Sequence, residues 1–108
     1  MEQLNRIEIR GIIGSVYVKD FGIAKVANFR VATSYAFKAS DGSAVIETTW
    51  HRVVAWEGKG INNLDQLKKG AGVHVLGRLR MQRYTAADGT DRTSFEIIAN
   101  KVELEEAR

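Results

Sequence analysis

A chain of 108 residues holds one domain with a single modest core and is too short for two. Hydrophobic residues at 44% and charged residues at 27% exclude a disordered chain, while 16 Lys and Arg against 13 Asp and Glu give a mildly basic +3 that suits a polyanion partner without demanding one. There is no cysteine, hence no disulfide, no thiolate nucleophile and no Cys-ligated metal. No apolar run approaches the roughly 18 residues of a membrane span, and the opening residues alternate charged with apolar as no signal peptide does, so a cytoplasmic location is expected.

From Leu4 to Val18 the pattern predicts a strand, with Ile7, Ile9 and Ile13 in phase with Gly11 and with Glu8 and Arg10 opposite. Gly11 and Gly14 inside so long a strand predict a bend or bulge that curls the sheet. Ile7, Ile9, Ile12 and Ile13 spread over both faces, more apolar surface than a monomer of this size needs. An edge strand that pairs with a symmetric copy is therefore expected, with Ile7 and Ile9 in the interface. Lys19-Asp20-Phe21-Gly22 reads as a hairpin connection. A second strand, Ala24 to Phe37, sets Ala27, Phe29, Val31 and Thr33 against Asn28, Arg30 and Ala32. After an Asp41-Gly42 turn comes a third strand, about Val45 to Glu57.

Ile61, Leu64 and Leu67 then predict two turns of helix, capped by Asn62 or Asn63 and stopped by Lys68-Lys69-Gly70. Alternation returns from Gly72 to Tyr84, an Asp88-Gly89 turn follows, and a last strand runs from Arg92 to Leu104. Five strands with one short helix between the third and fourth is the element order of an OB-fold, an all-β five-stranded Greek-key barrel. Residues 1–108 are expected to form this one domain, without linker, repeat or low-complexity segment.

The third strand carries the most pointed signal. Period two places Trp50, Arg52, Val54 and Trp56 on one face and Thr49, His51, Val53 and Ala55 on the other, so both tryptophans share a face with a permanent cation between them. Paired aromatics on a strand are commonly core, but Arg is rarely buried without a partner. Flat rings interleaved with guanidinium suit base stacking and phosphate neutralisation. Arg78, Arg80, Gln82 and Tyr84 share one face of the fourth strand, and Arg83 projects from the other. His51 and His74 each stand alone, without Cys or paired acid at ligand spacing, so neither a metal site nor a general base is expected. No cofactor is expected, and no nucleophile–base pair or Gly-rich phosphate loop suggests an enzyme.

Several strings resemble the bacterial single-stranded DNA-binding protein family: Asn5-Arg6, Val26-Ala27-Asn28-Phe29, Thr49-Trp50-His51-Arg52-Val53-Val54, Leu67-Lys68-Lys69-Gly70, Gly77-Arg78-Leu79-Arg80, and Asp88-Gly89 with Arg92. They run in order over nearly the whole chain, and the Trp-His-Arg-Val-Val string with Leu-Lys-Lys-Gly is specific. The resemblance implies an OB-fold that assembles as a homotetramer and binds single-stranded DNA without strong sequence preference in replication, repair and recombination, at the bacterial nucleoid. RNA remains an alternative ligand. The resemblance puts base stacking at Trp50, Trp56, Tyr84 and Phe37, the last two of which have the alternative role of covering the rim of the core. Phosphate contacts are expected from Arg52, Lys69, Arg78, Arg80 and Arg83, with Arg6 as an outlying candidate. In the family the histidine after this tryptophan lies near subunit contacts, which makes His51 an interface residue whose protonation would loosen the oligomer.

Two departures accompany the resemblance. Family members continue into a Gly/Gln/Pro-rich linker and an acidic tip ending in phenylalanine, on which repair and replication enzymes dock. This chain stops at Leu104-Glu105-Glu106-Ala107-Arg108, so docking through a tail is not expected, and Glu103, Glu105 and Glu106 read as a strand end fraying into solvent. The first hairpin also lacks the Asp-Pro and Arg-Tyr elements of the family, so no contact is carried over to that loop. Two alternatives stay open: a primosomal replication protein of the same fold, and an OB-fold that serves protein–protein contact alone.

Overall fold

The first strand, β1 (Ile7–Asp20), serves two neighbours in turn. Residues 7 to 12 pair with β4 (Gly72–Thr85) and residues 12 to 20 with β2 (Lys25–Lys38), both antiparallel, so Ile12 is paired on both sides. The change of partner coincides with a register shift between Ile13 and Ser15, a bulge at Gly14 where the sequence predicts one. With β3 (Ala44–Trp56) and β5 (Asp91–Glu105), the order is β1-β2-β3-β5-β4, closed by β4 on β1. This computed structural model describes residues 1–58 and 60–105, and these form an all-β barrel of the OB type.

Alternation decides what enters the barrel. Ile9 and Ile13 of β1, Ala27, Phe29 and Val31 of β2, Val53 and Ala55 of β3, Val73 and Val75 of β4, and Ile97 and Ala99 of β5 are all buried in one cluster. Ile61, Leu64 and Leu67 join the same cluster from the β3–β4 connection. The predicted two-turn helix is instead a single 3-10 turn over Leu64–Gln66, with no side-chain cap from Asn63. The spacing i, i+3, i+6 fits three residues per turn, so an extended plug puts all three apolar residues inward where an α-helix would rotate them apart. Asn63 donates instead to the Val102 carbonyl at 3.2 Å.

Other expectations change as well. β1 is divided between two neighbours: residues 7–11 pair with β4 alone and residues 13–20 with β2 alone. Ile9 is buried inside the barrel and so is committed to the chain's own interior, whereas Ile7 is half-buried and packs against the core from its rim. Glu103 and Glu105 do not fray: they lie within β5, Glu103 bonded to Lys101 and Glu105 to Arg10, each at 2.8 Å. Glu106 lies outside the described residues.

Two hairpins outrun the barrel. β1 pairs with β2 no farther than Ala32 and with β4 no farther than Gly77, whereas β2–β3 and β4–β5 continue to their turns. Residues 34–38 and 78–85 are accordingly exposed. Both arms turn on glycines at positive φ, Gly42 at 88° and Gly89 at 85°, as the Asp-Gly pairs predict.

Closure depends on close backbone approach at Gly11, where a Cβ would lie 2.1 Å from the Ala32 carbonyl oxygen. The change Gly11→Ala should cost about 1–3 kcal/mol because backbone, unlike a side chain, cannot step aside. Chemical denaturation should show a lower midpoint, and an unchanged midpoint would refute the close approach.

Candidate nucleic-acid interface

The strand registers set outward-facing residues into rows across the barrel. One row is Ile12, Ala32 and Trp50; the next is Ser15, Arg30 and Arg52. Then come Tyr17, Asn28, Val54, Ile98 and Arg78, followed by Lys19, Val26 and Trp56. Trp50 and Trp56 thus flank a band of cations on one face, 49% and 50% exposed, while Val53 and Ala55 between them point into the core.

Each tryptophan has its own support. The Trp50 ring lies over Gly14, where a Cβ would fall 2.2 Å from Cζ3, so the bulge glycine makes room for the indole. The Arg30 guanidinium stands 5.4 Å from the Trp50 ring centroid, within cation–π range. Trp56 stacks on Phe21 of the β1–β2 turn, centroids 6.1 Å apart and planes 20° from parallel. Lys19 lies over that Phe21 ring, 4.9 Å from its centroid.

The parallel pairing of Val54 with Ile98 sets Glu96 beside Arg52, and the antiparallel pairing of β4 with β5 sets Glu96 opposite Arg80. Glu96 is buried, and Arg80 grips its Oε1 with Nε at 3.0 Å and with Nη2. Arg80 is therefore spoken for: a phosphate must compete with a desolvated carboxylate that loses its partner if the arginine leaves. Among the described residues Arg6, Arg30, Arg52, Arg78 and Arg83 pair with no carboxylate. Arg6 and Arg78 line one cleft with Ile98 and Asn100. Lys69 precedes Gly70, whose N–H donates to Ile13 at 2.8 Å, so it borders the Gly14 bulge beneath Trp50.

The remaining candidates are spread along the arms. Tyr84, half-exposed, pairs with Arg92 near the tip of β4–β5 on the face of Arg78 and Arg80; Arg83 is on the opposite face. Phe37 is opposite Val45 near the other tip and stacks with Tyr35 at 6.1 Å. By alternation that pair is on the face of Val31, not the face of Trp50 and Trp56. The structure thus gathers Trp50, Arg52, Trp56 and Arg78 on the barrel and leaves Phe37 and Tyr84 on separate arms. Sequence reasoning did not single out Arg30 or Phe21, each of which lies against one of the two tryptophans. Arg30 was readable from its phase against Phe29 and Val31, whereas Phe21 reaches Trp56 only once the hairpin closes.

Comparison with known proteins shows the family and the fold. The sequence model of the single-strand binding protein family matches residues 4–105. A single-stranded DNA-binding protein of Neisseria meningitidis is 34% identical over 79 residues, 73% of this chain and 45% of its own length. One from Xanthomonas axonopodis pv. citri is 34% identical over 103 residues, 94% of this chain and 57% of its own. The chain thus spans about half the length of the curated relatives it matches. A Plasmodium falciparum SSB in complex with ssDNA superposes with a TM-score of 0.82 at 29% identity, covering 96% of this chain and 95% of that one. A Thermus aquaticus single-stranded DNA binding protein, 22% identical with a TM-score of 0.78 over 97% of this chain and 52% of that one, shares the fold.

His51 stands apart from the outer rows. It faces the same way as Val53, part-buried, with Nε2 2.8 Å from the Thr33 hydroxyl. Burial lowers its pKa below the ordinary value. The unfolded chain therefore takes up this proton first, so the stability contributed by neutral His51 is complete above about pH 6.5 and is lost as pH falls through that value toward the folded pKa. The substitution His51→Gln should flatten the fall of the unfolding midpoint between about pH 7 and 5. A parent and variant that lose stability in parallel would refute this role.

Proposed function

Because the chain belongs to the single-strand binding protein family, we propose that it binds single-stranded DNA on the outer face that carries Trp50, Arg52 and Trp56. The observation that carries this reading is the pair of half-exposed indoles flanking Arg30 and Arg52, cations that no carboxylate neutralises among the described residues. Bases stack on Trp50 and Trp56 and reach Tyr84 along the β4–β5 arm, and a strand that passes round the β2–β3 arm meets Phe37 on its other face, while Arg30, Arg52, Arg78 and Lys69 meet phosphates. Stacking reads no base identity because every base has a π face, so binding is indifferent to sequence. Arg80 acts through its ion pair with Glu96 and contributes less free charge than Arg52 or Arg78. The protein works by coating the strand, without catalysis, in replication, repair or recombination.

Titration with a long oligothymidine should quench the tryptophan fluorescence deeply and saturate at a definite number of nucleotides. Each phosphate neutralised on a single strand adds about −0.7 to the salt slope, so Arg30, Arg52, Arg78 and Lys69 together give a slope of about −3. Replacing Trp50 or Trp56 by Ala should weaken binding about 5- to 100-fold each, read by anisotropy of a labelled oligonucleotide. Unquenched fluorescence and no bound oligonucleotide would favour a protein-contact role for the same face.

The chain acts as a homo-oligomer, for which the β4–β5 arm supplies the best-supported surface. Past Gly77, the face that would have pointed inward carries Leu79, Met81 and Phe95, 42%, 54% and 56% exposed, with no barrel left to enter. Leu4 and Ile7 border the same hollow, and the Asn5 side chain clasps the Leu79 backbone on both sides, N–H at 2.9 Å and carbonyl at 2.7 Å. A second copy covering this face would bury it at both ends of a symmetric contact. Phe95→Glu should shift the mass by light scattering toward the monomer, and an unchanged mass would remove this surface.

A further inference from the structure

Phe21 belongs to neither the barrel core nor the stacking set drawn from the family resemblance, yet its ring is fixed in place. Asp20 accepts from the Gly22 N–H at 2.7 Å and the Phe21 N–H donates to Ala24 at 2.8 Å, with Gly22 at φ 86°. The base of this turn is tied to the end of β3 by the Glu57 N–H donating to Lys25 at 2.9 Å. Phe21 therefore lies on Trp56 as part of a pinned hairpin, not as a loose loop residue. Beside the stack Val26, which the register places between Lys19 and Trp56, is 6% exposed although it faces outward and lies outside the core cluster. The two rings thus have a dry flank and a wet one, with Phe21 51% exposed.

A ring needed only to shield Val26 has no use for an ammonium over its face, nor for half its surface in water. Lys19, 4.9 Å from the Phe21 centroid, puts a cation where the phosphate beside a stacked base would pass. We propose that Phe21 is an additional base-stacking position and Lys19 its phosphate contact, so that the DNA path continues from Trp56 over the β1–β2 turn. This rests on the outer face being the DNA-binding face. The turn is where the sequence departs from the family, and the inference gives that departure a purpose: Phe21 and Lys19 supply a contact of this chain's own.

The test is anisotropy of labelled oligothymidine with the full chain, as parent, Phe21→Leu, Phe21→Tyr and Lys19→Gln. Phe21→Leu keeps an apolar cover but no ring and should weaken binding about 5- to 100-fold, while Phe21→Tyr, which keeps the ring, recovers most of that loss. Lys19→Gln should make the salt slope shallower by about 0.7. Binding by Phe21→Leu within twofold of the parent overturns the inference, as does a loss that Phe21→Tyr does not recover. Should Phe21→Leu lower the unfolding midpoint, the slope of Lys19→Gln decides alone, and an unchanged slope overturns the proposal. A parent that binds no oligothymidine removes the underlying reading instead, which separates the two failures.

Discussion

The bulge at Gly14 is the constraint on which this molecule turns. It bends the strand that pairs with β4 at its start and with β2 beyond, and so helps to close the barrel. The same missing side chain makes room for the Trp50 ring on the outside. One backbone device thus sets the curvature of the fold and the seat of its most prominent aromatic. A side chain at that position would have to displace one of the two.

Closure also explains the two faces of the protein. Inside, the alternating residues of five strands and the Ile61, Leu64, Leu67 plug fill the barrel. Outside, the same alternation delivers indoles, guanidiniums and Val54 in rows that run across strands rather than along them. Crossing these rows, as β3 does along its own length, brings a ring, then cations, then a second ring into succession. Where β1 ends its pairing, the long hairpins continue alone, and their would-be interior faces become apolar surface.

Charge on this surface is not uniform in availability. Arg52 and Arg80 flank the same buried Glu96, but the carboxylate is hydrogen-bonded by Arg80. The arginine that looks equivalent in sequence to its neighbours is thereby held in an ion pair, whereas Arg30, Arg52 and Arg78 pair with no carboxylate among the described residues. Counting basic residues along β4 overstates its pull on a polyanion, because burial makes the internal pair hard to part.

Much of this was legible from residue order. Period two in the third strand separates Trp50 and Trp56 from Val53 and Ala55 because tetrahedral geometry at each Cα fixes successive side chains to opposite faces. The Asp-Gly turns were equally readable, since the positive φ at Gly42 and Gly89 is a local demand. The two-turn helix was misjudged because spacing three matches three residues per turn rather than the wider α-helical turn, and the chain makes only one 3-10 turn there. Ile9 was misplaced for a related reason: a strand's inner face is identical on paper whether it meets its own core or a partner. What tertiary structure alone decided is every contact between distant segments: Glu96 with Arg80, Phe21 with Trp56, and the length by which each hairpin overshoots. Those depend on which strand lies beside which and in what register, a global choice that local periodicity does not encode.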